Sequence, residues 1–216
     1  MFTNREKNTA IKKQAILKAL LIRIKTEDFD KIKIRDICKD SSVSEASFYN
    51  YFSKKSDLFV YFVQLWTVET HWKLIYEKKV DGLNAISLLF EDVASFTVKH
   101  PEAMAEIISL QAKWKTKIDL PLLTNADKVI AFPDYDKVEN IASKGLDSIL
   151  IPHLEIAIKN GELPLNAPVE VITLTLKSIF FGIPIFLKET PVDKINDIYK
   201  EQLSLLWLAI KKQYSN

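Results

Sequence analysis

Cysteine is nearly absent from the chain. Cys38 is the only one in 216 residues, which excludes an intramolecular disulfide and a cysteine-based zinc site. Glycine and proline are also scarce, four and eight respectively, and long stretches contain neither. Sandwiches and α/β sheets need frequent tight turns, so this scarcity points to an all-α protein. A long uninterrupted apolar run is missing too. The most apolar segment, residues 169–187, carries Glu170, Lys177 and Pro184 and reads as a buried helix rather than a membrane span. The opening MFTNREKNTAIKK lacks the apolar run of a secretory signal, so a cytoplasmic location is expected, with no membrane partner.

The motifs of common catalysts are lacking as well. No Walker loop, GxSxG or GxGxxG occurs, and Gly145, Gly161 and Gly182 are isolated. His71, His100 and His153 lie far apart in an order that forms neither HxxxH nor HExxH, so no metal is expected. Glu91 and Asp92 adjoin on a helix and point apart, a poor setting for acid–base work. No catalytic role and no cofactor are expected.

What is present begins with charge. The formal net charge is only +2, but residues 1–60 hold 13 Lys/Arg against 8 Asp/Glu, while residues 61–216 hold 17 against 20. A basic head on a mildly acidic body suits a polyanionic partner. With 48% hydrophobic residues the chain can bury a sizeable core. The spacing of Ile16, Leu17, Leu20, Leu21 and Ile24 predicts an amphipathic first helix, with Thr9 as its N-cap. IRDICKD predicts a short second helix, and Ser44 caps a third, EASFYNYF. A long fourth helix is expected over residues 55–79. Later ones are expected at 83–99, 101–113, 136–160, 168–188 and 192–213, with boundaries supported by Pro101, Gly161, Pro168 and Pro191.

Two short helices joined by a four-residue turn and braced by an earlier helix make the helix-turn-helix plan, whose second helix enters the major groove of DNA. The residues meet its requirements. Val43, Phe48 and Phe52 supply a packing face. Glu45, Ala46 and Ser47 are short enough to let the backbone approach base edges, and Ser44, Tyr49, Tyr51 and Lys55 are spaced to reach phosphate oxygens.

Residues 11–60 resemble the N-terminal domain of the TetR family of bacterial transcriptional regulators. VSEASFYNYFSKKSDL is similar to that family's recognition-helix signature, IRDIC to its second helix and the spacing from Ile16 to Ile24 to its first. Three positions depart from the pattern. Ser42 stands at the usual turn glycine, Asp28 at the glycine after the first helix, and Lys33 at the threonine that opens the second. Serine and aspartate are expected to take up the left-handed backbone that glycine would supply.

The resemblance implies that Arg35 reaches a base edge. It also implies that Glu45, Ala46 and Ser47 face bases, and that Ser44, Tyr49, Tyr51 and Lys55 hold the backbone. The domains implied are a helix-turn-helix unit over residues 1–53 and a larger helical unit over residues 54–216.

In that larger part, Trp66, His71, Trp72, Phe96, His100, Met104 and Trp114 combine aromatic bodies with polar tips. This suits an apolar ligand pocket and suits an ordinary helical core equally. The resemblance implies a pocket for a small-molecule effector. The last two helices are apolar around more than one face, through Ile172, Leu176, Ile179, Phe180, Leu203, Leu206, Trp207 and Ile210. Such helices need two partners, and the resemblance implies that one of them is a second copy of the chain.

The function implied is a ligand-responsive regulator, a repressor that binds a near-palindromic operator in double-stranded DNA as a homodimer. A small apolar or aromatic effector would release it. The alternatives are a helical small-molecule-binding protein, or an architectural DNA-binding protein without ligand control.

Overall fold

The structure, a computed structural model, describes residues 2–113, 123–143, 145–186 and 194–214. Among these residues there are ten α-helices and no strand. In chain order they are α1 (Asn4–Arg23), α2 (Ile34–Asp40), α3 (Glu45–Tyr51), α4 (Asp57–Trp72) and α5 (Gly82–Lys99). There follow α6 (Pro101–Lys113), α7 (Asn125–Ala131), α8 (Asp147–Lys159), α9 (Val169–Ile185) and α10 (Ile195–Tyr214). The all-α class expected from the scarcity of glycine and proline is the class observed. Two compact units divide the chain: Met1–Glu69 with Ser109–Ser143, and Thr70–Ile108 with Lys144–Asn216.

The first unit is built on α1. Its start is set by a capping box in which the Thr3 hydroxyl accepts from the Glu6 amide at 3.2 Å and the Glu6 carboxylate accepts from the Thr3 amide at 2.7 Å. Thr9, the N-cap expected from the sequence, lies inside the helix instead. Ile16, Leu17, Leu20 and Ile24 are buried on one stripe, as their spacing predicts. At the far end Arg23 bonds Asp40 of α2 at 2.6 Å and Glu27 at 2.8 Å.

A polar cluster lies within this unit. Asp127 of α7 is 1% exposed, and its carboxylate accepts from the Lys13 ammonium at 2.7 Å and from the Tyr61 hydroxyl at 3.0 Å. The same carboxylate takes the Thr124 amide and hydroxyl at 3.0 and 2.9 Å, closing a second capping box at the start of α7. The ammonium of Lys13 also sits 4.4 Å from the centre of the Tyr61 ring. Burial and the neighbouring Asp127 push the Tyr61 phenol far above its ordinary range, so it stays protonated and donates to Asp127.

The second unit packs α8, α9 and α10 around α5. Phe90 of α5 is buried edge-on against Phe180 of α9 and Tyr199 of α10, at ring separations of 5.8 and 5.1 Å. The Tyr199 hydroxyl donates to the Phe180 carbonyl at 2.8 Å. Gly161, with φ +75°, ends α8 in a left-handed turn, and the next residue, Glu162, accepts from the Leu83 amide at 3.0 Å in the first turn of α5. Glycine suits position 82, because its φ is +56° and a Cβ there would displace the Glu162 carboxylate from the Leu83 amide.

Three expectations about helix extent are corrected. The fourth helix is α-helical only to Trp72 and continues as a π-helix over Lys73–Lys78, closed by left-handed Lys79. The helix expected over residues 136–160 begins at Asp147, since Lys137 and Gly145 adopt positive φ of 60° and 78° and interrupt any earlier start. Asp28 is not left-handed: its φ is −59°, and a single 3-10 turn over Phe29–Lys31 makes the connection to α2. The expected ends of the last two helices at 187–188 and 192–193 lie outside the described residues.

Replacing Asp127 by asparagine leaves the Lys13 ammonium without its counter-ion in a largely buried site. The expected loss of unfolding free energy is about 3–5 kcal/mol, read from urea denaturation. A loss below about 0.5 kcal/mol would place the pair among weak surface contacts.

Candidate functional site

The turn between α2 and α3 is a helix-terminating motif built without glycine. The Val43 amide reaches back to the Cys38 carbonyl at 3.0 Å and the Ser42 amide to the Lys39 carbonyl at 3.2 Å. Ser42 is left-handed, with φ +54°, as expected for the residue at the glycine position of the turn. Its cost relative to glycine is about 1 kcal/mol. The Ser41 hydroxyl donates to the Ile37 carbonyl at 2.8 Å and secures the last turn of α2. At the start of α2, Lys33 makes no side-chain cap bond.

Ser44 then opens α3 as the sequence predicts, its oxygen accepting from the Ser47 amide at 3.2 Å. Val43, Phe48 and Phe52 are buried, with Phe48 fully so, and together they hold the helix against its unit. The opposite side is open. Glu45 and Ala46 are exposed, Ser47 is half-buried, and Tyr49 is 55% exposed with its ring edge-on to Phe48 at 5.4 Å. Ser44 and Arg35 are exposed, and Tyr51 is half-buried. The guanidinium of Arg35 makes a long 3.8 Å pair with Asp36.

The start of α4 is fixed on the same unit by Asp57. Its buried carboxylate accepts from the amides of Ser53 and Lys54 at 3.0 and 3.1 Å. Lys55 donates to the carbonyls of Phe29 and Ile32, the latter at 2.7 Å, and lies 4.2 Å over the Phe29 ring. Its ammonium thus ties the 3-10 turn before α2 to the start of α4.

Residues 16–62 match the family model of bacterial regulatory proteins, tetR family. The chain's N-terminal domain belongs to the TetR family. No curated protein sequence matches the chain. Among solved structures, a TetR transcriptional regulator from Rhodococcus sp. RHA1 is similar over 92% of this chain and 95% of its own, at 13% identity and a TM-score of 0.56. A protein solved to give the molecular basis for control of antibiotic production by bacterial hormones is similar over 97% and 100%, at 14% identity and a TM-score of 0.58. At these identities the likeness is one of fold. The matched stretch is the helix-turn-helix, DNA-binding part of bacterial regulatory proteins of the tetR family.

Beyond the TetR domain the expected effector residues are spread. In the second unit, the rings of Phe96 and His100 lie tilted at 5.3 Å, Trp72 lies 5.6 Å from Tyr76, and Met104 is buried. Trp66 falls in the first unit and is half-buried. Trp114 lies outside the described residues. His71 has a neighbour that the sequence reading did not pair with it: His153 of α8, with ring centroids 6.4 Å apart. Their separation along the chain hides this pair from any spacing rule.

The expected dimer residues divide by burial. Ile172, Leu176, Phe180, Leu203 and Ile210 are buried within their own unit, so their side chains are committed to its core. Ile179, Leu206 and Trp207 are half-buried. The apolar side chains left open on α9 and α10 are Val171, Leu174, Ile185, Leu205 and Leu208, each more than half exposed. A helix apolar on two faces does not reveal from spacing which of them turns inward.

Burial pulls both imidazoles of the His71–His153 pair below the ordinary histidine value. His71 lowers His153 further, and Asp81 partly offsets this. The folded chain therefore resists protonation that the unfolded chain accepts near pH 6.5. Stability is full above that value and falls as pH drops below it toward the depressed folded values. The urea midpoint is expected to fall from about pH 7 to about pH 5, and His153→Gln to flatten the decline. An unchanged slope in that variant would place the acid sensitivity elsewhere.

Proposed function

We propose that the protein represses transcription as a homodimer on a near-palindromic DNA site and is released by a small apolar or aromatic effector. The supporting observation is the open side of α3: short side chains at Glu45, Ala46 and Ser47 stand beside the exposed hydroxyls of Ser44 and Tyr49, on a helix whose other side is locked into its unit. In this reading Arg35 and Glu45 read base edges, where arginine pairs with guanine and a carboxylate accepts from a cytosine amino group. Ala46 and Ser47 face the bases too, while Ser44, Tyr49 and Tyr51 hold phosphates. Lys55, expected at a phosphate, has its ammonium committed to the Phe29 and Ile32 carbonyls and so serves to position the reading unit. Residues 1–53 form the reading part, and residues 54–216 the effector and dimer part.

One helix-turn-helix spans only a few base pairs, so two copies are needed for a selective site. The open apolar side chains Val171 and Leu174 on α9 and Leu205 and Leu208 on α10 are the surface we assign to the twin subunit, with Ile179, Leu206 and Trp207 at its base. Effector binding changes the spacing of the two reading heads through α4, which begins in the first unit and ends in the second. A coupling of about 1–3 kcal/mol lowers DNA affinity about 5–150-fold. Both the effector and DNA would be met in the cytoplasm. No helix among the described residues is long and apolar enough to cross a membrane.

Selection of bound sequences from random DNA by the purified protein tests the reading. A two-fold symmetric consensus is expected, and absence of any enriched sequence would sink it. On the selected site, Tyr49→Phe should weaken binding about equally across all sequences and leave the salt slope unchanged, since a neutral hydroxyl displaces no counterion, whereas Glu45→Gln and Arg35→Ala should change the preferred bases. Wild-type behaviour in all three would remove the assignment of α3.

The dimer surface is tested separately. Leu174→Glu combined with Leu208→Glu is expected to give a monomer in sedimentation analysis and to weaken operator binding at least tenfold, an order-of-magnitude figure for losing one of two half-sites. A double variant that remains dimeric would place the interface elsewhere.

A further inference from the structure

Among the described residues of the second unit, His71 and His153 gather three buried ring nitrogens that its own hydrogen bonds do not explain, apart from a single oxygen of Asn196. His153 is 5% exposed, yet neither of its ring nitrogens has a partner among the described residues, and Nδ1 of His71 is likewise buried and unpartnered. Folded proteins rarely leave buried polar atoms unsatisfied, and three in one place call for a polar group from outside the chain. We propose that His71 and His153 are the polar anchor of a binding site for an uncharged small molecule that has an apolar body and a hydroxyl group. The inference names the chemistry of the effector in the function proposed above and rests on that reading.

The class follows from what the rings offer. A neutral imidazole carries one N–H donor and one acceptor nitrogen, so His153 presents both. Burial keeps the two rings neutral, which removes the positive charge that would favour an anion. A carbonyl only accepts and an ammonium only donates, but a hydroxyl does both from one atom. A zinc-like ion would need a third protein ligand, and among the described residues no three histidine, cysteine or acidic side chains come together.

The neighbours along the two helices are largely apolar, and Asp81 is a charged group that acts on His153. Leu150, Leu154 and Ala157 lie one turn or less from His153 on α8, and Leu74 lies one turn from His71; all four are buried. The π-helix begins two residues after His71, at Lys73. A widened turn of this kind lets a helix present side chains out of ordinary register, and it recurs at functional sites.

The test uses the full-length protein labelled with 15N-histidine and two isomeric probes. 1-Octanol donates and accepts, whereas heptyl methyl ether has the same atoms and only accepts. Two-bond 1H–15N spectra resolve the ring nitrogens of the three histidines. Octanol is expected to shift those of His71 and His153 saturably and to leave His100 unchanged, and to bind about tenfold more tightly than the ether. In His153→Gln and His71→Phe the preference for the alcohol should shrink, and melting curves establish that each variant is folded. Equal binding of the two isomers, or no movement of either ring up to the solubility of the alcohol, overturns the proposal.

DNA binding by the same preparation separates the two readings. Protein that binds its selected DNA but ignores the hydroxyl loses this inference and keeps the regulator function. Protein that prefers the alcohol but enriches no DNA sequence keeps the site and loses the regulator function.

Discussion

The open face of α3 depends on one left-handed residue, Ser42. α3 has only seven residues, too few to stand as a helix in water without tertiary support. Its direction is set where the chain leaves α2, by the two amides of Ser42 and Val43 that return to the carbonyls of α2. Once that turn is made, Val43 enters the core behind the turn, Ser44 caps the next helix, and Phe48 and Phe52 can be buried only with Glu45, Ala46 and Tyr49 facing out. Serine serves where glycine is less strained because one such residue costs little beside the burial of Phe48, worth about 2–3 kcal/mol.

The second unit shows a different division of labour. Each of α9 and α10 has an inward apolar stripe that meets α5 and an outward one whose side chains are more than half exposed. The inward stripe is well determined by Phe90, Phe180 and Tyr199, which lock edge to face. Polar atoms in this unit are mostly satisfied locally, as when Tyr199 bonds a carbonyl of α9. The two histidines depart from that rule, and they do so at the place where α4 changes from α- to π-helical geometry. Local irregularity and unsatisfied polarity at one point mark it as distinct from the surrounding core.

The N-terminal quarter was the part most legible in the sequence, because local signals suffice there. Ser44 caps by its own side chain, Ser42 turns where glycine usually turns, and the buried positions of α1 recur at helical spacing. Even here a local signal was overlooked, since Thr3 and Glu6 already have the spacing of a capping box. The start at Pro101 was equally readable. Contacts between distant segments were not. Nothing near residue 127 announces that its carboxylate meets Lys13 and Tyr61, and nothing near His71 announces His153. The inward and outward faces of α9 and α10 were not separable in the sequence for a related reason: periodicity tells how wide an apolar stripe is, and only packing tells which edge of it is covered.

The Lys13–Asp127 pair joins residues 114 positions apart, so the amino-terminal unit is not finished when its own three helices have been made. A ribosome delivers α1 early and α7 much later. During that interval Lys13 and Tyr61 await their carboxylate, and the nascent head is a looser body than the mature one. The chain therefore carries an order of assembly in its covalent sequence: firm closure of the basic head waits until more than half of the polypeptide has been synthesised.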